Sequence, residues 1–96
     1  MDIDWRTVQL FLSEDGVAEV QLDADNSRKV RCNCKSFMSS ARCKHVKFVK
    51  DQMAENNGHY AVKIPEDIPD DEAFDAMGDA ESFRQFIIKY GKVEVI

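Results

Sequence analysis

Along the first third of the chain, apolar and β-forming residues recur at strand-like intervals. Trp5 to Leu12 is rich in β-formers and is closed by the turn signal Ser13-Glu14-Asp15-Gly16. Val17-Ala18-Glu19-Val20-Gln21-Leu22 then alternates, which after a register adjustment directs Val17, Val20 or Leu22 inward. A polar turn, Asp23 to Ser27, leads to a third extended run from Arg28 to Cys32. Three such runs joined by compact turns predict an antiparallel meander.

From Cys43 the period lengthens. His45, Phe48, Val49, Gln52 and Met53 fall at i, i+3, i+4, i+7 and i+8, the stripe of an amphipathic helix, and Asn57-Gly58 supplies its stop. Tyr60-Ala61-Val62-Lys63-Ile64 alternates like a strand and ends at Pro65. Pro69-Asp70-Asp71-Glu72 opens a short helix that stops at Gly78, with acids favoured at the positive end of the dipole. Asp79 caps a further helix whose apolar side is Ala80, Phe83, Ile87 and Tyr90, with Gly91 after its end. Lys92 to Ile96 reads as a last strand, placed beside Tyr60–Ile64. The expected fold is therefore α+β: a small antiparallel sheet of about three to five strands, one helix following Cys43, and two C-terminal helices.

Length narrows this further. Ninety-six residues fit one domain, residues 1–96, with a thin core, and a chain this small often adds a metal or disulfides. A multi-step enzyme with a deep cofactor cleft is not expected. No stretch approaches the ~20 apolar residues of a membrane span. The start Met1-Asp2-Ile3-Asp4-Trp5 lacks the features of a secretion signal, so a cytoplasmic, reducing compartment is expected. Three cysteines, an odd count, turn attention from disulfides to metal chemistry.

The net charge of −5 hides a segregation. Residues 1–27 carry one base and seven acids, residues 28–50 eight bases and no acid, and residues 51–96 four bases and eleven acids. The basic island is Arg28, Lys29, Arg31, Lys35, Arg42, Lys44, Lys47 and Lys50. Lys44, Lys47 and Lys50 lie opposite the apolar stripe of their helix. An anionic partner such as nucleic acid should meet this island, although a solvated face or charge support for a thiolate-rich metal site explains it equally.

The informative segment is Cys32-Asn33-Cys34, eight residues, then Cys43-Lys44-His45. Three thiols and one imidazole form a tetrahedral ligand set suited to zinc, which would fasten the end of a hairpin to the start of a helix. A Cys32–Cys34 disulfide would need a very tight ring and leave Cys43 over. A Cys43–His45 nucleophile–base pair has no evident orienting acid nearby. Inert buried thiols are the remaining alternative.

At these residues the chain resembles the SWIM zinc finger, whose signature is Cys-x-Cys, a variable gap, then Cys-x-His. Phe37, three residues after the second cysteine, and the apolar Val46, Phe48 and Val49 after the histidine fit that family too. The resemblance covers residues 17–57 and carries the ligand roles to Cys32, Cys34, Cys43 and His45, with one structural zinc ion. Residues 58–96 form an additional strand–helix–helix–strand extension that the family does not account for.

The resemblance implies a binding module without catalysis, a small nucleic-acid-associated or regulatory adaptor. A short chain with no attached ATPase, transposase or recombinase domain suits an accessory protein of a phage or mobile element. The rival expectation is a protein-interaction module or inhibitor that uses the acidic C-terminal helices, for which Phe86 and Ile88, at the flank of the aromatic stripe, are the alternative exposed anchors. Phe74, Phe83, Phe86 and Tyr90 are expected under those helices, Trp5 in the core, and His59 in a surface turn.

Overall fold

A computed structural model describes residues 3–14 and 16–96. Its elements are β1 (Trp5–Ser13), β2 (Gly16–Asp23), β3 (Asn26–Cys32), α1 (Lys35–Ser40), α2 (Lys44–Glu55), α3 (Asp70–Ala76), α4 (Ala80–Tyr90) and β4 (Val93–Glu94). The α+β reading holds, and β1, β2 and β3 form the expected antiparallel meander. The sheet is mixed, because β4 joins the free edge of β1 in parallel, giving the order β3-β2-β1-β4.

β1 is the interior strand on which the packing turns. Thr7, Val8, Gln9, Leu10 and Phe11 are all buried, as expected for a strand covered on both faces. A bulge breaks the register between Thr7 and Gln9. That extra residue lets Val8 and Phe11, of opposite parity, serve the same core. Their cluster adds Ala18, Val20, Leu22 and Cys32 from the sheet and Val46, Val49 and Met53 from α2. Leu10 points the other way, to Ala76, Phe86 and Ile87 of α3 and α4. On β2 the inward set is Ala18, Val20 and Leu22, whereas Val17 is exposed.

Helix boundaries follow local chemistry. The Gly58 N–H reaches the Met53 carbonyl at 2.8 Å, with Asn57 and Gly58 both at positive φ, so α2 ends where its stop signal lies. The Asp79 carboxylate accepts from the Ser82 N–H at 2.7 Å and opens α4. Gly91 closes it by donating to the Ile87 carbonyl at 2.8 Å; a Cβ there would stand 2.6 Å from that oxygen. Glu72 of α3 accepts from the Tyr90 hydroxyl at 2.8 Å and from Lys89 at 3.1 Å, which ties the two C-terminal helices together.

Several expectations are corrected. The eight residues between Cys34 and Cys43 hold a helix, α1, whose Phe37 packs on the main core. Phe74 is 79% exposed rather than part of the core, whereas Phe86 is buried, as expected of the aromatic stripe, which removes it as the alternative surface anchor. The seven-residue α3 is too short to bury both Phe74 and Ala76, which lie about 200° apart around its axis. Ile88 is exposed, as expected, at 47%. Trp5 is half-buried at the sheet margin, its ring covered by the Arg31 guanidinium at 4.4 Å.

Tyr60–Ile64 forms no strand. The reason lies in Gln9, buried in the middle of β1. Its amide donates to the Leu10 and Lys92 carbonyls, and its oxygen accepts from the Tyr60 hydroxyl at 2.7 Å. Gln9 thus draws both flanking segments to β1, and their own pairing is reduced, among the described residues, to one main-chain bond from the Lys92 N–H to the Lys63 carbonyl at 2.9 Å and the Lys63–Glu94 ion pair. Burial, with the nearby Glu94 charge, pushes the Tyr60 hydroxyl up to about 12, so it stays a donor. Gln9→Leu, similar in size, leaves the Tyr60 hydroxyl and the Lys92 carbonyl without this partner. A loss of about 1–3 kcal/mol is expected, read from the midpoint of denaturant unfolding at unchanged slope.

Candidate metal centre

The sheet-to-helix junction gathers the three thiols and the imidazole. The ligand atoms of Cys32, Cys34, Cys43 and His45 all lie within 4.8 Å of one another. Cys32 ends β3, facing the α2 side with Val20 and Leu22. Cys34 is the N-cap of α1 and Cys43 the N-cap of α2, both with extended backbone. His45 lies in the first turn of α2 and is buried. The fourfold set that the sequence predicts is therefore one cluster, and it could hold one metal ion.

The donor set fits a tetrahedral ion of the zinc type. Bonds of about 2.3 Å to sulfur and 2.0 Å to nitrogen give a tetrahedron with edges of about 3.5–3.8 Å. The Cys32 Sγ to His45 Nδ1 separation, 3.8 Å, already matches such an edge. The widest separation in the set exceeds it by about 1 Å, a contraction that side-chain rotation supplies. The three cysteines are free thiols, so no disulfide competes.

Electrostatics at the centre favour a cation. Burial pushes the Cys32 thiol up to about 12, and the neighbouring Cys43 and Cys34 sulfurs add to the rise. Burial likewise raises Cys43, against the lowering effect of the Val46 N–H that its sulfur accepts at 3.4 Å. Cys34 is also opposed by burial, but hydrogen bonds from the Phe37 and Ser36 backbone and from the other two thiols hold it below the usual thiol range. Three thiolates this close repel one another, and a dication taking the place of their protons would offset that repulsion with its own charge. His45 is held neutral by burial and by the charge of Lys44, the form in which imidazole ligates.

Residues outside the sequence-predicted set hold the ligands in place. The Phe11 ring lies 4.8 Å from the His45 ring and 5.4 Å, edge-on, from that of Phe48. Phe11 is wholly buried, and only its place in an apolar run hinted at this role. Asn33, between the first two cysteines, bonds to Glu19 through its side chain. A shallow groove beside the cluster is walled by Leu12, Val17, Val95 and Ile96, with Cys34, Cys43 and His45 on its floor.

The basic island does not form a single patch. Lys44, Lys47 and Lys50 are exposed along α2, Lys35 on α1, Arg42 in the loop between, and Arg28 and Lys29 on β3. Arg31 alternates to the opposite face of the sheet from Cys32, where its Nε donates to the Gln21 amide oxygen at 2.7 Å. Lys47 pairs with Asp51 at 2.7 Å, and Lys44 donates to the Ile96 carbonyl at 2.8 Å. His59 is exposed and apart from the cluster. Among the described residues, no other group of three or more such ligands is gathered, and no helix is long and apolar enough to cross a membrane.

Compared with protein-family models, with curated proteins and with solved structures, the chain matches none. The site thus stands on its own geometry. Phe11→Ala removes the ring that backs both His45 and the core. It should cost about 3–5 kcal/mol in denaturant unfolding of the metal-loaded protein.

Proposed function

We propose that this chain is a zinc-binding module of the SWIM type whose role is binding rather than catalysis. The observation that supports this most is the convergence of Cys32, Cys34, Cys43 and His45, in the Cys-x-Cys and Cys-x-His spacing that the SWIM signature shares. With all four positions of a tetrahedral ion filled by protein, no site remains for substrate or an activated water, so the ion's role is structural. It would join the end of β3 to the starts of α1 and α2.

The bases that surround the centre on α1, α2 and the connecting loop form the surface for a polyanion, and nucleic acid is the partner we favour. Lys35, Arg42 and Lys50 make no side-chain ion pair or hydrogen bond with the described residues, so they are available to phosphates. Lys47 is held only by an exposed pair of the kind worth little in water. A second reading, a protein adaptor working through the C-terminal helices, draws on Phe74 and Met77, exposed at 79% and 65% beside Asp70, Asp71 and Asp75.

Purified reduced protein should carry one zinc per chain by metal analysis. Cys32→Ser, Cys34→Ser, Cys43→Ser and His45→Ala should each lower zinc content and stability together. Structural zinc contributes on the order of 10 kcal/mol in small finger peptides, comparable to the whole stability of a domain this size. Well-folded, reduced protein free of zinc and unable to take it up overturns the reading.

Nucleic-acid affinity should sit near ~10⁻⁴–10⁻⁶ M at physiological salt and fall with a log–log slope of about −0.9 per duplex phosphate neutralised. Changing Lys44, Lys47 and Lys50 together to Gln should flatten that slope by about 0.9 for each phosphate left without its lysine, with zinc content unchanged. Absence of binding to single- or double-stranded DNA or RNA at low salt transfers the function to the adaptor reading, where Phe74→Ser is the first variant to test.

A further inference from the structure

On a straight β-strand, side chains at positions i and i+2 start from a spacing wider than two thiolates on one ion need. Such side chains share a face but stand about 6.6 Å apart along the strand. A filled tetrahedron needs sulfur atoms about 3.8 Å apart. Here the chain leaves the strand after Cys32, which relieves that mismatch for Cys34, and the hydrogen bonds of Asn33 show how it does so.

The β2–β3 ladder pairs Leu22 with Val30, Gln21 with Arg31 and Val20 with Cys32, so the next pair is Glu19 with Asn33. One half of that pair is ordinary: the Asn33 N–H donates to the Glu19 carbonyl at 3.3 Å. The other half is substituted. The Glu19 N–H donates to the Asn33 side-chain oxygen, at 2.8 Å, and not to its main-chain carbonyl. The amide side chain satisfies the sheet and releases the main chain to turn. Cys34 then becomes the N-cap of α1, and its sulfur comes within ligating range of the other three.

The far end of this clamp is fixed. The Glu19 carboxylate accepts from the Thr7 hydroxyl and from Arg84 of α4, whose Nε lies at 2.8 Å. Those bonds, together with the buried neighbours Ala18 and Val20, hold the Glu19 main chain in place. The clamp therefore transmits position from the sheet to the thiols.

We propose that Asn33 is a positioning residue of the metal centre: its side-chain carbonyl caps the β2–β3 ladder at Glu19 and so sets the spacing of Cys32 and Cys34 for one ion. This rests on the metal-binding reading above. Asn33→Ala removes the acceptor, whereas Asn33→Asp keeps an oxygen in the same place.

The test is titration of the reduced full chain with Co²⁺ and with Zn²⁺ against a competing chelator, following the visible absorption of tetrahedral thiolate–cobalt. Wild type should bind one ion with that spectrum. Asn33→Ala should weaken binding by about 10–100-fold, the usual scale for loss of an outer-shell partner, and should weaken and broaden the cobalt bands. Asn33→Asp should stay within a few fold of wild type. Gln21→Ala, in the same strand pair but with its side chain bonded to Thr7 and Arg31 on the face of the sheet away from Cys32, serves as the control for general loosening of the sheet and should keep wild-type binding.

Wild-type binding by Asn33→Ala overturns the proposal and leaves the metal reading intact. So does an equal loss in Gln21→Ala. If Asn33→Ala fails to fold, the comparison of Asn33→Asp with Asn33→Leu decides, because only the first retains the acceptor: equal binding by the two overturns the clamp. Failure of the wild type to take up either metal overturns the metal reading and the clamp with it.

Discussion

Three thiols and an imidazole crowded within 4.8 Å are the constraint around which the first half of the molecule is arranged. Partial burial of the sulfurs opposes their ionisation, and each thiolate formed raises the cost of the next. The surroundings offset part of that cost without a cation, since the Val46 N–H of α2 donates to the Cys43 sulfur and the Phe37 and Ser36 amides at the start of α1 lower the Cys34 thiol. These amides also explain why both thiols sit at N-cap positions. The same atoms that open the helices stabilise negative charge on the ligands.

The remainder of the fold holds that junction in place from the sheet side. β1 runs between the two cores: alternation sends Phe11 to one and Leu10 to the other, and the bulge adds Val8 to the side of Phe11. Phe11 backs His45 on one face, while on the other Thr7, Glu19, Gln21, Arg31 and Arg84 form a hydrogen-bonded layer over the strands. In a chain of this size, where apolar area is scarce, such polar layers and the Gln9 hub fix positions that packing alone would leave loose. No buried side-chain nitrogen or oxygen among the described residues lacks a partner.

Much of this was legible in the sequence where the signal is local. The three-strand meander, the start and stop of α2, the Asp79 cap and the metal ligands each depend on residues a few positions apart. What escaped depends on distant partners. Tyr60–Ile64 has strand periodicity, but Gln9, 51 residues earlier than Tyr60, decides its pairing. Phe74 shares the apolar character that places Phe86 correctly in the core, and only the line of contact between α4 and β1 separates the two. α1 was hidden because Ser36, Met38, Ser39 and Ser40 carry no apolar periodicity. Asn33 reads as a spacer until its partner on β2 is known. The basic island is evident as a run of charge, yet its division between two faces follows from strand alternation at Arg31.

The parallel pairing of β4 with β1 also sets an order of assembly. The thiol–imidazole cluster spans 13 positions, and the β1–β2 and β2–β3 hairpins each begin from a pair only 3 positions apart, Ser13 with Gly16 and Asp23 with Asn26. By contrast, the bond from Gln9 to Lys92 joins residues 83 positions apart. Loop-closure entropy makes contacts of the first kind early and the second late. On a ribosome, the hairpins and the thiol cluster can form while the residues of β4 are still unmade, and for that interval the edge of β1 lies open to other strands. The nascent chain is most exposed to mispairing at that stage, and an ion held by the thiol cluster would limit what remains to go wrong.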